Sequence, residues 1–150
     1  MGELSWRGVF GIGAWQIRSD GGGWTVQNLW ITREASLFMS SPVLVGGILV
    51  GFSHFRMGQL FALDWTNGRL LWRGDPRSGE HASLVSRGNH VLVFRGDGWL
   101  DVGEVSRSGF PLLRKYKMGD STCWGHPAVV DNRILIRDGS RLAAYRLSDR

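Results

Sequence analysis

Short apolar segments divided by tight turns recur along this chain. Each segment contains two apolar runs separated by glycine, asparagine or aspartate, which is the pattern expected of a β-hairpin. The three clearest segments are residues 42–50, 83–93 and 127–136. Ile48, Val91 and Ile134 hold equivalent places in this pattern and are spaced 43 residues apart. A regular repeat of hairpins therefore organises the sequence.

A repeat of this length predicts a β-propeller. The blades of such folds are small antiparallel sheets that recur about every 40–50 residues. No apolar spacing of about 3.6 residues persists beyond a turn, so we expect almost no helix. We predict an all-β fold, a partial β-propeller of three to four antiparallel four-stranded blades in one domain, residues 1–150. The predicted blades are residues 8–33 (incomplete), 38–74, 82–118 and 124–147.

The second predicted blade has the clearest strands. They are residues 43–45, 48–53, 59–64 and 69–73. Gly46 and Gly47 form a two-residue turn between the first two of them. In the first blade, glycine interruptions predict a strand pair within residues 8–17, and alternating apolar positions predict a strand over residues 24–32.

Five residues of the second blade form a candidate structural motif. They are Gly58, Ala62, Asp64, Gly68 and Trp72. Asp64 ends a strand, where its carboxylate can accept hydrogen bonds from the backbone N–H groups of the turn. Gly68 allows a positive φ without the steric cost of a Cβ atom. Trp72 lies on the outer strand, where its ring can fill the gap to the next blade.

Together with Leu60 and Leu63, this motif resembles the PQQ-like, or quinoprotein-type, propeller repeat, whose blades are similar to WD40 and YVTN repeats. Asn67 and Arg69 depart from the threonine and lysine of that repeat. The resemblance extends over about residues 9–147. It implies the C-terminal portion of a bacterial propeller of seven or eight blades, of a family whose members are usually exported to the periplasm or beyond.

The resemblance leaves two functions open, because the family includes both dehydrogenases and non-catalytic scaffolds. We expect a non-catalytic scaffold that binds a protein or a ligand. The alternative is a part of a PQQ-dependent quinoprotein dehydrogenase. The vicinal cysteine pair of the family's alcohol dehydrogenases is absent, since Cys123 is the single cysteine. PQQ lies on the propeller axis in that family, so we expect no cofactor here and PQQ only in a complete propeller.

Candidate chemistry outside the motif is sparse. The histidines are His54, His81, His90 and His126. His54 and His126 could face one mouth of the propeller with His81 nearby, and either a metal or ligand site or hydrogen-bonded loop histidines would fit this placement. We assign no catalytic, cofactor-binding or metal residue. We expect turn or strand-end roles for four aspartates, Asp64, Asp97, Asp101 and Asp138. Cys123 lies beside Trp124, which favours a buried structural thiol.

The charge is basic, with a net charge of +5 and a pI of about 10.3. Sixteen of the eighteen basic residues are arginines scattered over strand ends and turns, and residues 114–117 form the one cluster. A nucleic-acid binder more often shows a basic stripe, so nucleic acid is a weak third hypothesis. Residues 1–20 lack the apolar core of a signal peptide, so the compartment is left open. The longest apolar run, residues 42–52, is too short to span a bilayer.

An open arc of blades leaves one sheet face uncovered at each end. Large exposed apolar surfaces mark partner sites or aggregation. We therefore expect a protein partner, further blades or self-association to cover these faces, or poor solubility where nothing does.

Overall fold

The computed structural model describes residues 11–146, which form thirteen β-strands. The strands are β1 (Ile12–Ser19), β2 (Trp24–Thr32), β3 (Val43–Val45), β4 (Ile48–Ser53), β5 (Gln59–Asp64), β6 (Leu70–Arg73), β7 (Ala82–Arg87), β8 (His90–Arg95), β9 (Trp99–Glu104), β10 (Leu112–Lys117), β11 (Ala128–Val130), β12 (Arg133–Arg137) and β13 (Leu142–Arg146). Within residues 11–146, the sole helical element is the 3-10 turn Phe55–Met57.

The strands form four antiparallel sheets in chain order. Blade 1 contains β1 and β2, blade 2 β3 to β6, blade 3 β7 to β10, and blade 4 β11 to β13. Sequential strands pair with one another in each sheet, as expected where short turns join neighbouring strands. The predicted all-β, partial propeller fold is confirmed.

Three apolar clusters lie between successive blades, and each is built from facing sheet surfaces. Because strand side chains alternate, one strand serves two clusters. In β4, Leu49 packs towards blade 1, whereas Val50 and Phe52 pack towards blade 3. In β8, Val93 packs towards blade 2 and Phe94 towards blade 4. Each fully buried aliphatic or aromatic side chain contributes about 1.5–3 kcal/mol, so the blades are held mainly by these interfaces.

The equivalence of Ile48 with Val91 and Ile134 is wrong by one residue. Ile48 packs towards blade 3, the following blade, whereas Val91 and Ile134 each pack towards the preceding blade. Leu49 holds the matching place, because it packs towards blade 1. Neighbouring residues of a strand point to opposite faces of the sheet, so a shift of one residue moves a side chain to the other face. A 43-residue spacing therefore does not by itself determine the face to which a side chain points.

The first blade also departs from the prediction. A strand pair was expected within residues 8–17, but Ile12–Ser19 is one continuous strand that pairs with β2. Residues 8–10 of that prediction lie outside the described residues. Glycine is tolerated here because β1 has an irregularity at Ala14 and Trp15, where its register against β2 shifts. β5 and β6 have the same irregularity at Ala62 and Leu63. The two blades therefore share one local geometry at the start of the outer hairpin.

The strands predicted over residues 43–45, 48–53, 59–64 and 24–32 have the observed bounds, and the outer strand of blade 2 begins one residue later than predicted. Among the described residues, no helix is both long and apolar enough to cross a membrane.

Candidate functional site

The outer strands of blades 1 and 2 are joined to the next blade by tryptophan. Trp30 Nε1 donates to the Trp65 carbonyl at 2.9 Å, and Trp72 Nε1 donates to the Ser106 carbonyl at 2.9 Å. In both cases the acceptor lies in the turn between the third and fourth strands of the following blade. Each bond gives the indole N–H an acceptor, because the interface between the blades shields this group from water. In blade 3 the corresponding place is held by Arg114, which pairs with Val102 beside the shift in register as Trp72 pairs with Ala62.

Asp64 strengthens the same junction. Its Oδ1 accepts from the Thr66 backbone N–H at 3.0 Å and the Thr66 hydroxyl at 2.6 Å, which closes the turn after β5. Its Oδ2 accepts from Arg107 of blade 3 at 2.5 Å. The Arg107 bond is the largest cause that holds the pKa of Asp64 well below its usual range, followed by the Thr66 bonds.

Close backbone packing requires two of the motif glycines. Gly68 has a φ of 71°, and a Cβ atom there would lie 2.4 Å from the ring of Trp30. Gly58 has a φ of 94°, and a Cβ atom there would lie within bonding distance of the Gly79 carbonyl oxygen. Ala62 is fully buried between blades 2 and 3. The motif residues therefore lie in three places: the junction at the outer turn, the interface between blades 2 and 3, and the loop at residues 54–58.

The loop at residues 54–58, between β4 and β5, has an unusual backbone. Arg56 and Met57 have φ values of 55° and 64°, which side chains other than glycine rarely adopt. The loop is held by a neighbouring connection, because the Arg77 N–H donates to the Arg56 carbonyl at 3.1 Å and the Ser78 N–H to the Gly58 carbonyl at 3.0 Å. Arg77 also has a positive φ, 61°. Strain concentrated in one pair of loops is a mark of functional sites.

An apolar cavity of about 650 Å³ lies on one side of this loop. Its apolar wall is formed by Phe38, Met39 and Met57, and of these Phe38 is 67% and Met57 70% exposed. His54 lies at the base, with its ring 5.5 Å from that of Phe38. Methionine and aromatic side chains form surfaces that adapt to varied apolar partners. The remaining lining residues are Gly58, Arg77, Gly79 and Glu80.

A second cavity of about 450 Å³ lies on the other side of the same loop, and its chemistry is different. Arg33, Arg56 and Arg73 line it, and Glu34 pairs with Arg73 at 2.9 Å. Within residues 11–146, Arg33 and Arg56 have no carboxylate partner. The two remaining guanidinium groups can therefore bind a carboxylate from outside the chain.

The histidines have different surroundings. His81 is buried, stacks on Trp124 at 4.2 Å, and lies 2.8 Å from the Cys123 carbonyl oxygen through Nε2. His126 is exposed, and His54 belongs to the loop described above. Over residues 11–146, no three histidine, cysteine or acidic side chains are grouped so that they could hold a metal ion.

Cys123 is a buried free thiol, as predicted. Burial is the largest cause that raises the pKa of this thiol, and the nearby Asp138 carboxylate adds to it. Asp138 itself lies in the turn between β12 and β13, where its Oδ1 accepts from the Ser140 and Arg141 backbone N–H groups at 2.9 Å each. These bonds lower the pKa of Asp138 to about 2.

The innermost strands β3, β7 and β11 contain no acidic and no aromatic residue.

Comparison with known proteins agrees with this architecture. BamB from Moraxella catarrhalis superposes with a TM-score of 0.63 at 17% identity, over 81% of this chain and 40% of that one. The C-terminal WD40 domain of Sif2 superposes with a TM-score of 0.61 at 13% identity, over 91% and 40% of the two chains. A europium-containing methanol dehydrogenase gives 0.52 at 21% identity, over 71% and 22%. Neither a family model nor a curated protein matches the sequence.

The chain therefore has a β-propeller fold, and it spans 40% or less of the length of these three structures.

Sequence reasoning missed the two cavities. Phe38 and Met39 precede the second blade in a connection, and Arg56 and Met57 follow a strand end, so neither pair belongs to a repeat pattern. The signal that could have indicated them is the presence of three large apolar side chains in segments that form no strand.

Proposed function

We propose that this chain is a non-catalytic propeller scaffold that binds an extended segment of a partner protein at the loop of residues 54–58. The observation that supports this most strongly is the pair of cavities on either side of that loop, one apolar and one lined by arginines. Both are shaped by backbone held at positive φ. A loop held in strain on a rigid sheet frame is typical of a binding site.

The chemistry of the cavities defines the partner. Phe38, Met39 and Met57 would surround a large apolar side chain, and the apolar cavity is of the size that takes one. Arg33 and Arg56 would bind a neighbouring carboxylate. The net charge of +5 also favours approach of an acidic segment. The proposed partner is therefore an extended peptide in which an aromatic or long aliphatic residue lies close to aspartate or glutamate.

Selection from a random dodecapeptide library displayed on phage, with the 150-residue chain as bait, tests this proposal. We expect enriched peptides with an apolar residue near an acid. Phe38→Ser and Arg56→Gln should each weaken their binding by about tenfold, because each removes one recognition group. Val130→Ser is the control, since Val130 is also exposed, lies on β11 in blade 4 and lines neither cavity, and it should leave affinity unchanged. Absence of enrichment, or equal binding to all variants, contradicts the proposal.

A part of a PQQ-dependent dehydrogenase is the competing function. We propose that the chain alone binds no PQQ, because its innermost strands offer no acidic or aromatic group. Titration with PQQ and Ca²⁺, followed by absorbance and by reduction of a redox dye, measures this directly. PQQ-dependent reduction of the dye by this chain would remove the scaffold proposal.

A further inference from the structure

The hairpin of blade 1 extends further than the equivalent hairpin of blade 2. Trp15 corresponds to Leu63, because both follow the shared irregularity in register. In blade 2 the third strand ends at Asp64, one residue after Leu63, whereas β1 continues to Ser19, four residues after Trp15. Residues 15–28 thus form a two-stranded ribbon that projects past the outer turn of blade 2.

This ribbon is amphipathic in the manner of a strand pair with one buried face. Ile17 pairs with Val26, and Ser19 pairs with Trp24, so these side chains share a face with Trp15. The opposite face is polar and contains Gln16, Arg18, Thr25 and Gln27. Trp24 is 75% exposed, and its apolar neighbours are also exposed. Ile12 and Ala14 pack towards blade 2, so Gly13 between them lies on the opposite face of β1. The ring of Trp15 lies over Gly13, and the apolar face of the ribbon is therefore turned away from the described blades.

The other end of the arc has a face of complementary chemistry. In blade 4, Ile134 and Ile136 pack towards blade 3, so Leu135 and Arg137 point the opposite way. Leu142 pairs with Arg137 and shares that outer face. Arg133 also lies on it, because it is two residues from Leu135. No ion pair engages Arg133 or Arg137 within residues 11–146.

Comparison of Leu142 with Leu100 indicates that this face of blade 4 is suited to being covered by a further sheet. Leu100 holds the same place in blade 3, third strand and outer side, and is 1% exposed because blade 4 covers it. Leu142 is 70% exposed. In all three interfaces of the chain, the sheet face that one blade turns towards the following blade packs on the face that the following blade turns back towards it. Trp15 holds the place of Leu63, which packs towards the preceding blade. The free side of blade 4 and the side of blade 1 that carries Trp15 are therefore the two kinds of surface that meet elsewhere in the molecule, and the ribbon extends the second of them.

We propose that a second copy of this chain covers these surfaces, with the apolar ribbon face of one copy against the outer face of blade 4 of the other. Trp15 and Trp24 supply aromatic faces, and Arg133 and Arg137 supply unpaired guanidinium groups that stack on such faces. Leu135 and Leu142 supply the aliphatic contact. The contact is head-to-tail, since the two surfaces differ, so its closure forms a ring of copies.

Sedimentation velocity of the full 150-residue chain between about 1 and 100 μM tests the proposal, a range in which weak assemblies form. We expect a mass above the monomer value of 16.7 kDa that rises with concentration. Two variants should each be monomeric: Ile17→Thr with Trp24→Gln, which alters the ribbon, and Arg137→Glu with Leu142→Ser, which alters blade 4. Circular dichroism establishes that both keep the fold, which is expected because every altered side chain is exposed. Gln27→Glu, on the polar ribbon face, is the control and should associate like the unaltered chain.

Mixing the two monomeric variants gives the sharpest result. A head-to-tail contact leaves one intact ribbon and one intact blade 4 face in the mixture, so a one-to-one heterodimer forms. A ribbon-to-ribbon contact would instead leave the blade 4 variant associated by itself. Either that outcome, or a monomer at every concentration of the unaltered chain, overturns the proposal.

Discussion

Gly68 and Trp30 show how a residue without a side chain determines the packing of a large one. The Trp30 ring occupies the space that a Cβ atom of Gly68 would need, and its indole N–H reaches the Trp65 carbonyl. Trp72 reaches the Ser106 carbonyl of the next blade in the same way. The motif glycines and tryptophans therefore act across blade boundaries, where sequence spacing within one blade carries no direct signal.

Gly58→Ala should be strongly destabilising. The added Cβ would collide with the Gly79 carbonyl, and Gly58 also has a φ of 94°. We expect a loss of about 2–4 kcal/mol, which is large for one methyl group. Urea unfolding followed by tryptophan fluorescence measures it.

Gly88→Ala is the matched control for that substitution. Gly88 has a positive φ of 58° but open space around its Cβ position, so its loss should be about 1 kcal/mol. Equal losses at the two positions would show that the contact with Gly79 is not close.

Asp138 should make the chain sensitive to acid. Its pKa is lowered to about 2 in the folded state by the Ser140 and Arg141 N–H groups, against about 3.9 in the unfolded state. Its stabilisation is complete above pH 4 and is lost as the pH falls from about 4 to about 2. Asp138→Asn should flatten the pH dependence of the unfolding midpoint in this range by up to about one proton. A constant difference between the two proteins from pH 5 to pH 2.5 contradicts the assignment.

At the scale of elements, the strand bounds were accessible to sequence reasoning where a turn has a strong signal. Gly46 and Gly47 fixed the ends of β3 and β4. The face of Ile48 was not accessible, because β4 begins at Ile48 whereas β8 begins one residue before Val91. The bond between Asp64 and Arg107 joins residues 43 positions apart and depends on the blades being adjacent.

The cavity loop is the element that sequence reasoning could not describe. Non-glycine residues at positive φ have no simple signature, and Arg56 and Met57 have this geometry only because the neighbouring connection holds them. The long ribbon of blade 1 was not accessible either. It is recognised only when the strand register of blade 1 is compared with that of blade 2, and the sequence does not give this register.

Met57→Gly should stabilise the chain and weaken binding at the same time. Glycine removes the steric cost of a φ of 64°, which is worth up to about 1 kcal/mol. It also removes one wall of the apolar cavity. Urea unfolding and the affinity of a selected peptide measure the two effects. Asp131→Gly, which changes another residue at positive φ in blade 4, should affect stability alone. A loss of stability in Met57→Gly would show that the loop is not strained.

At the scale of the molecule, four sheets form an arc in which each blade is stabilised by its neighbours. In such assemblies stability is nearly a sum of repeats and of interfaces between repeats. Blades 2 and 3 contribute both faces to apolar clusters, whereas blades 1 and 4 contribute one each within the described residues. The free faces and the cavity loop are thus the places where we propose that the arc meets other molecules.

The four sheets are successive blades, and tryptophan joins them across their outer turns. Exchange of indole N–H protons, followed by ¹⁵N-resolved NMR, tests this most directly. We expect slow exchange for Trp30 and Trp72 and fast exchange for the exposed Trp24, together with a nuclear Overhauser contact from the Trp72 indole proton to Ser106, 34 residues away. Exchange of Trp30 and Trp72 as fast as that of Trp24, with no such contact, would contradict it.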